Sequence, residues 1–193
     1  MVKALHIIPG AFDYFNDIRK EALLLTDALS EVKGLEVEYV VLEYGLPKAG
    51  HGSFEDRVSG RIHQGNGNLK ETIASLDNYD LIHLHAPFLG GAKPLLKYYN
   101  EKKDPPPLVI TYYRDVKITD LLSYYVRWYN RRYLGGLMKK ASEVLVLGDE
   151  SQFKDLPSGQ NIVDKYEFWG DIPLNQEAFV EKNVIVYNNL AFN

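Results

Sequence analysis

Six short runs rich in β-branched and aromatic residues punctuate the chain: VKALHII (2–8), LEVEYVVLEY (35–44), DLIHLH (80–85), PLVITYY (107–113), SEVLVL (142–147) and NVIVYNN (183–189). Most are separated by stretches whose apolar residues recur at three- and four-residue steps. Ile18, Ala22, Leu25, Ala28, Leu29 and Val32 predict a helix over 17–32, with Asp17 as N-cap and Gly34 just past its end. Strands that alternate with helices of this length are joined by right-handed crossovers, and crossovers make neighbouring strands parallel. The pattern therefore predicts an α/β fold, a doubly wound parallel sheet of Rossmann-like type. The length, 193 residues, suits one domain over 1–193.

Further helices are expected at LKETIASL (69–76), GAKPLLKYYNEKK (91–103) and 119–141, the last bending at Gly135-Gly136. Residues 45–68 read as an extended glycine-rich loop, and 150–182 carry only weak patterning. The formal charge of -4 leaves no whole-molecule attraction for polyanions, so nucleic acid is not an expected partner. There is no cysteine, which removes thiolate and disulfide chemistry. No apolar run is long enough to span a bilayer. The expected location is the cytoplasm.

In a doubly wound sheet, ligands bind beyond the carboxyl ends of the strands, where strand order reverses. DLIHLH ends there with His83 and His85, two apart and so on one face. A catalytic zinc needs three protein ligands, and no third stands at a recognisable spacing, so no metal is expected. His83 reads as a packed histidine and His85, at the rim, as the functional candidate. The first turn, PGAFDYFNDIRKE, contains neither a dinucleotide fingerprint nor a P-loop, which disfavours a nicotinamide cofactor or a nucleotide triphosphatase. Its helix start near Asn16, Asp17 and Ile18 offers unpaired N–H groups to an anion. After PLVITY come Tyr113, Arg114 and Asp115, a hydroxyl, a cation and a carboxylate at the sheet edge. They read equally as a structural ion pair and as ligand-binding groups.

The stretches HIIPG, DLIHLHAPFLGGA, PLVITYYRDV, ASEVLVLGDES and NVIVYNN, in that order, resemble the N-terminal domain of the family 4 glycosyltransferases, retaining enzymes of GT-B architecture. The resemblance implies transfer of a sugar from a nucleotide-sugar co-substrate, with no other cofactor, to a saccharide or lipid-linked acceptor. It places Gly10, Asn16, Asp17, His85 and Arg114 on the substrate-binding wall of an interdomain cleft. Tyr113 and Asp115 are the candidates to contact the acceptor hydroxyl, with no general base assigned. Asn16-Asp17 stand where the family has a glycine pair, and Tyr113 where many relatives have histidine. The family's C-terminal donor-binding domain is not encoded in this chain. The resemblance thus implies that the isolated chain is inactive and needs a separate donor-domain polypeptide, or acts as a homo-oligomer. The competing expectation is a non-catalytic Rossmann-like module that binds a sugar, a nucleotide or a partner protein.

One segment has a different character. Residues 117–140 interleave Arg127, Arg131 and Arg132 with Tyr124, Tyr125, Trp128 and Tyr133. Arg127, Trp128, Arg131 and Arg132 are the candidates for contact with a partner protein or with anionic lipid at the inner face of the membrane. The alternative is that the aromatics pack on the sheet and the arginines form a solvated face.

Overall fold

The computed structural model describes residues 1–10, 15–43, 65–66, 70–148, 153–154, 156, 164–170 and 177–192. Its strands are β1 (Val2–Pro9), β2 (Leu35–Glu43), β3 (Gly65–Asn66), β4 (Leu81–Ala86), β5 (Leu108–Tyr112), β6 (Glu143–Val146) and β7 (Tyr166–Phe168). The helices are α1 (Asn16–Ser30), α2 (Lys70–Ser75, extended by a 3-10 turn over Leu76–Asn78), α3 (Ala92–Glu101), α4 (Leu121–Lys140) and α5 (Glu177–Ala191). All pairings are parallel, in the order β3-β2-β1-β4-β5-β6-β7. The chain folds as a Rossmann-like, doubly wound α/β protein, as its alternation of β and helical periods predicts.

Order reverses between β1 and β4, which pair side by side although 77 residues separate Lys3 from Asp80, whose carboxylate accepts the Lys3 N–H at 2.8 Å. Right-handed crossovers on the two sides of such a reversal send helices to opposite faces. α1 and α5 pack together over β1 and β4, while α3 lies along α4. The central strands are buried on both faces, which is why IIP, LIHLHA and LVITY read as continuous rather than alternating runs.

Three local expectations are corrected. Asp17 does not cap α1: Phe15 precedes the helix, no side chain caps it, and the Asp17 carboxylate lies in the first turn. α4 runs unbroken through Gly135-Gly136. A Cβ at Gly136 would come within 2.8 Å of Leu96 on α3, so this glycine serves close helix approach rather than a bend. The α4 start is fixed by a capping box: Ser123 N–H donates to Asp120 Oδ1 at 2.7 Å and Asp120 N–H donates to Ser123 Oγ at 2.9 Å.

The third correction is the largest. NVIVYNN, expected as a strand, lies inside α5. Phe179, Asn183, Val186 and Tyr187 are its buried residues, spaced four, three and one apart along one helical face. Of the loop expected over 45–68, only Gly65 and Asn66 fall within the described residues, where they pair with the end of β2.

Candidate functional site

The carboxyl ends of β1, β4 and β5 carry a run of polar side chains that an apolar core would not contain without reason. His6 and His83 are directly opposite across the β1–β4 pair, and His85 is opposite Thr111 across β4–β5. Alternation along the strands puts all four on one face, the face that α1 and α5 cover. His6, His83, His85 and Thr111 are fully buried, and so is Tyr187, delivered from α5.

These groups form one continuous chain of hydrogen bonds. The Tyr113 hydroxyl meets His85 Nδ1 at 2.7 Å, and His85 Nε2 meets His6 Nδ1 at 2.9 Å. His6 Nε2 meets the Tyr187 hydroxyl at 3.0 Å, that hydroxyl also contacts His83 Nδ1, and His83 Nε2 meets Thr111 Oγ1 at 2.7 Å. All six imidazole nitrogens are engaged. Thr26 Oγ1, which donates to the Ala22 carbonyl, lies 3.4 Å from His6 Nδ1.

The protons can be counted. In one order, Tyr113 O–H donates to His85, His85 Nε2–H to His6, His6 Nε2–H to the Tyr187 oxygen, Tyr187 O–H to His83, and His83 Nε2–H to Thr111. The reverse order satisfies the same five contacts. Each imidazole holds one proton in either case, so the network is neutral. Burial agrees: desolvation pushes His6 down to about 3, and holds His83 and His85 well below the ordinary histidine value, with the neighbouring imidazoles adding to the effect. Desolvation likewise drives the Tyr113 and Tyr187 phenols well above their usual range, so neither is a phenolate. Chemically, the two proton orders let the Tyr113 oxygen present either its lone pair or its O–H to the sheet edge without creating a buried charge.

His6, His83 and His85 also bring three potential ligand nitrogens within 4.8 Å of one another. The third ligand that spacing alone does not reveal is therefore His6. The donor set does not otherwise fit a metal. The His83 and His85 rings stack with centroids 4.5 Å apart at 15°, so their in-plane lone pairs run side by side instead of converging. Ligation would also break at least two of the hydrogen bonds just described.

Around this network lies the rim. Arg114, past the end of β5, donates from both Nη1 and Nη2 to Asp17 Oδ2, each at 3.1 Å, bridging to the first turn of α1. The ion pair expected between Arg114 and Asp115 is thus made with Asp17 instead. Asp115 is occupied by structure: Tyr112 O–H donates to one oxygen at 2.7 Å and Lys154 N–H to the other at 2.6 Å. Glu21, one turn beyond Asp17, has its carboxyl raised by partial desolvation, with Arg114 pulling the other way. Gly10 is half-buried at the end of β1, and Asn16 is exposed beside Asp17.

The expected site residues therefore divide. Asp17 and Arg114 are brought together, with Asn16 and Tyr113 as their chain neighbours, and Gly10 follows the end of β1. His85, expected at an open rim, is 0% exposed and bonds to Tyr113, which is itself only 7% exposed. The reason is that Tyr113 and α5 cover the face toward which His85 points. Arg127, Trp128, Arg131 and Arg132 lie on α4, with Arg127 and Arg131 reaching the end of β5. Arg127, Arg131 and Asn130 line, with Tyr112 and Val116, a notch of about 10 Å³, room for one water and far too small for a nucleoside. His6 and Tyr187 belong to the network and escaped the sequence reading. Among the described residues, no helix is long and apolar enough to cross a membrane. Compared with family models and with curated proteins, the chain matches none.

Proposed function

We propose that this chain is the acceptor-side half of a GT-B glycosyltransferase of family 4 type. In this reading it binds a saccharide or lipid-linked acceptor, and sugar is transferred from a nucleotide-sugar once a separate donor-binding domain closes the crevice. The observation that carries the reading is the Arg114–Asp17 bridge at the strand-order reversal, set beside the Tyr113 hydroxyl. It gathers a cation, a carboxylate and a phenol whose hydrogen-bond polarity is reversible, at the edge where such sheets take ligands. Arg114 and Asp17 orient acceptor hydroxyls, and Tyr113 completes the wall. His85 is a positioning residue that holds the Tyr113 oxygen. Half a crevice supplies binding but not the closed geometry that transfer requires. One of the five stretches behind the resemblance, NVIVYNN, belongs to a covering helix, and this favours a second reading in which the chain is a non-catalytic sugar- or nucleotide-binding module.

The test is a transfer assay with a panel of nucleotide-sugars and acceptors, on the chain alone and mixed with a donor-domain polypeptide. Transfer is expected only in the mixture and is lost in Arg114→Ala. Efficient transfer by the chain alone refutes the half-crevice argument. Acceptor binding with no transfer under any pairing supports the second reading.

A further inference from the structure

α4 is apolar on both sides. Its buried face is Val126, Tyr129, Leu134, Leu137 and Met138 with Ser123 and Asn130, and the opposite face is not charged throughout. At about 100° per residue, Leu121, Tyr125, Trp128 and Arg132 fall within roughly 60° of one another on the outer side, with Tyr124 and Arg131 along one flank. Leu121 is 91% exposed, Tyr124 62%, Tyr125 49% and Trp128 50%, and Ile118 just before the helix is 48% exposed. Tyr125 and Trp128 stack on one another with ring centroids 5.8 Å apart. Two of the large side chains that sequence reasoning could place on the sheet thus stand in solvent. Such a stripe costs solubility and is not needed for the fold.

We infer that the outer face of α4 docks on an anionic lipid surface. The helix carries five cations, Arg127, Arg131, Arg132, Lys139 and Lys140, and no acidic residue, in a chain of net charge -4. Tyrosine and tryptophan, apolar in body and polar at the tip, suit the headgroup boundary, and leucine and isoleucine at the start of the helix suit the acyl side. Arg132 lies within the stripe and Arg131 on its flank, where a helix lying in the interface plane meets phosphate, while Arg127 is half-buried on the inner side. A second copy of the chain is the poorer occupant, because a two-fold contact would set these cations against their own equivalents. The α4 start follows the end of β5, so docking brings the sheet edge to the lipid surface. The inference stands on the helix alone, whether or not the edge belongs to a glycosyltransferase.

The experiment uses the intact chain with phosphatidylcholine vesicles, with and without phosphatidylglycerol, read by co-sedimentation and by tryptophan emission. Trp128 is one of only two tryptophans, so its entry into the interface reports directly. Expected are partition onto the anionic vesicles alone, a blue shift, and loss of both in ~1 M salt, where the Debye length falls to about 3 Å. Arg131→Ala with Arg132→Ala lowers the partition coefficient about 30-fold, from the attraction of each cation to an anionic surface. Trp128→Ala removes the blue shift and weakens partition. The three side chains replaced or reported on, Trp128, Arg131 and Arg132, are at the surface, so folding is checked simply by circular dichroism. No partition at low salt, equal partition onto phosphatidylcholine alone, or self-association that Trp128→Glu abolishes in place of vesicle binding would each overturn the inference.

Discussion

The fully buried, neutral histidine network makes acid the sharpest probe of this fold. His6 binds its proton with an ordinary affinity once unfolded, near 6.5, but only at about 3 when folded. A histidine with a depressed folded-state value leaves the unfolded chain holding more protons, so stability is complete above 6.5 and declines as pH falls from there toward 3. Between about pH 7.5 and pH 5 this one group removes about 2 kcal/mol, since the unfolded state gains roughly 1.5 decades of proton binding that the folded state does not match. His83 and His85 shift in the same direction, so the whole protein should lose more than this. Urea denaturation of the wild type and of His6→Gln at both pH values measures it. Glutamine keeps an amide donor and acceptor but does not titrate. The variant is expected to be less stable at both pH values yet to have a pH dependence smaller by about 2 kcal/mol. The comparison is between slopes, so the variant's overall stability does not enter. Wild-type stability that is equal at the two pH values, or an undiminished slope in His6→Gln, would refute the neutral-network reasoning.

Tyr187→Phe removes the hydroxyl that joins His6 to His83 and leaves a buried donor and a buried acceptor without partners, at about 1–3 kcal/mol for each; chemical denaturation reads the loss. Gly136→Leu forces a side chain against Leu96, and overpacking of about 1–3 kcal/mol should lower the unfolding midpoint. Dialysis against a chelator should leave the melting temperature unchanged, because the imidazole nitrogens already bond to protein groups; a drop would show that His6, His83 and His85 hold a metal after all.

The alternation that fixed the β1, β2, β4, β5 and β6 assignments needed only local information: each strand's apolar run and each helix's three- and four-residue spacing lie within one window, whereas β3, two residues long, carries no such run. The same-face placement of His83 and His85 follows from their two-residue separation. His6 was beyond that reach. Its strand neighbour His83 is 77 residues away and its bonded partners His85 and Tyr187 are 79 and 181 away, and only the sheet order makes β1 the neighbour of β4. The available signal was a lone polar residue inside the apolar run of β1, next to the expected reversal. NVIVYNN failed for a different reason. Val184, Ile185 and Val186 favour a strand on their own, but a longer window shows Phe179, Asn183, Val186 and Tyr187 at helical spacing. Tertiary burial against β1 and β4 decides for the helix. The exposure of Tyr125 and Trp128 was likewise undecidable from spacing, since either side of α4 carries aromatics.

The Tyr187 contact with His6 spans 181 positions of chain. At translation speeds of about 5–20 residues per second, the imidazole of β1 leaves the peptidyl-transferase centre some ten to forty seconds before the phenol that will cap it has been polymerised. During that interval His6 Nε2 can bond only to water or to groups already synthesised. The histidine network can therefore be completed only after α5 has been synthesised.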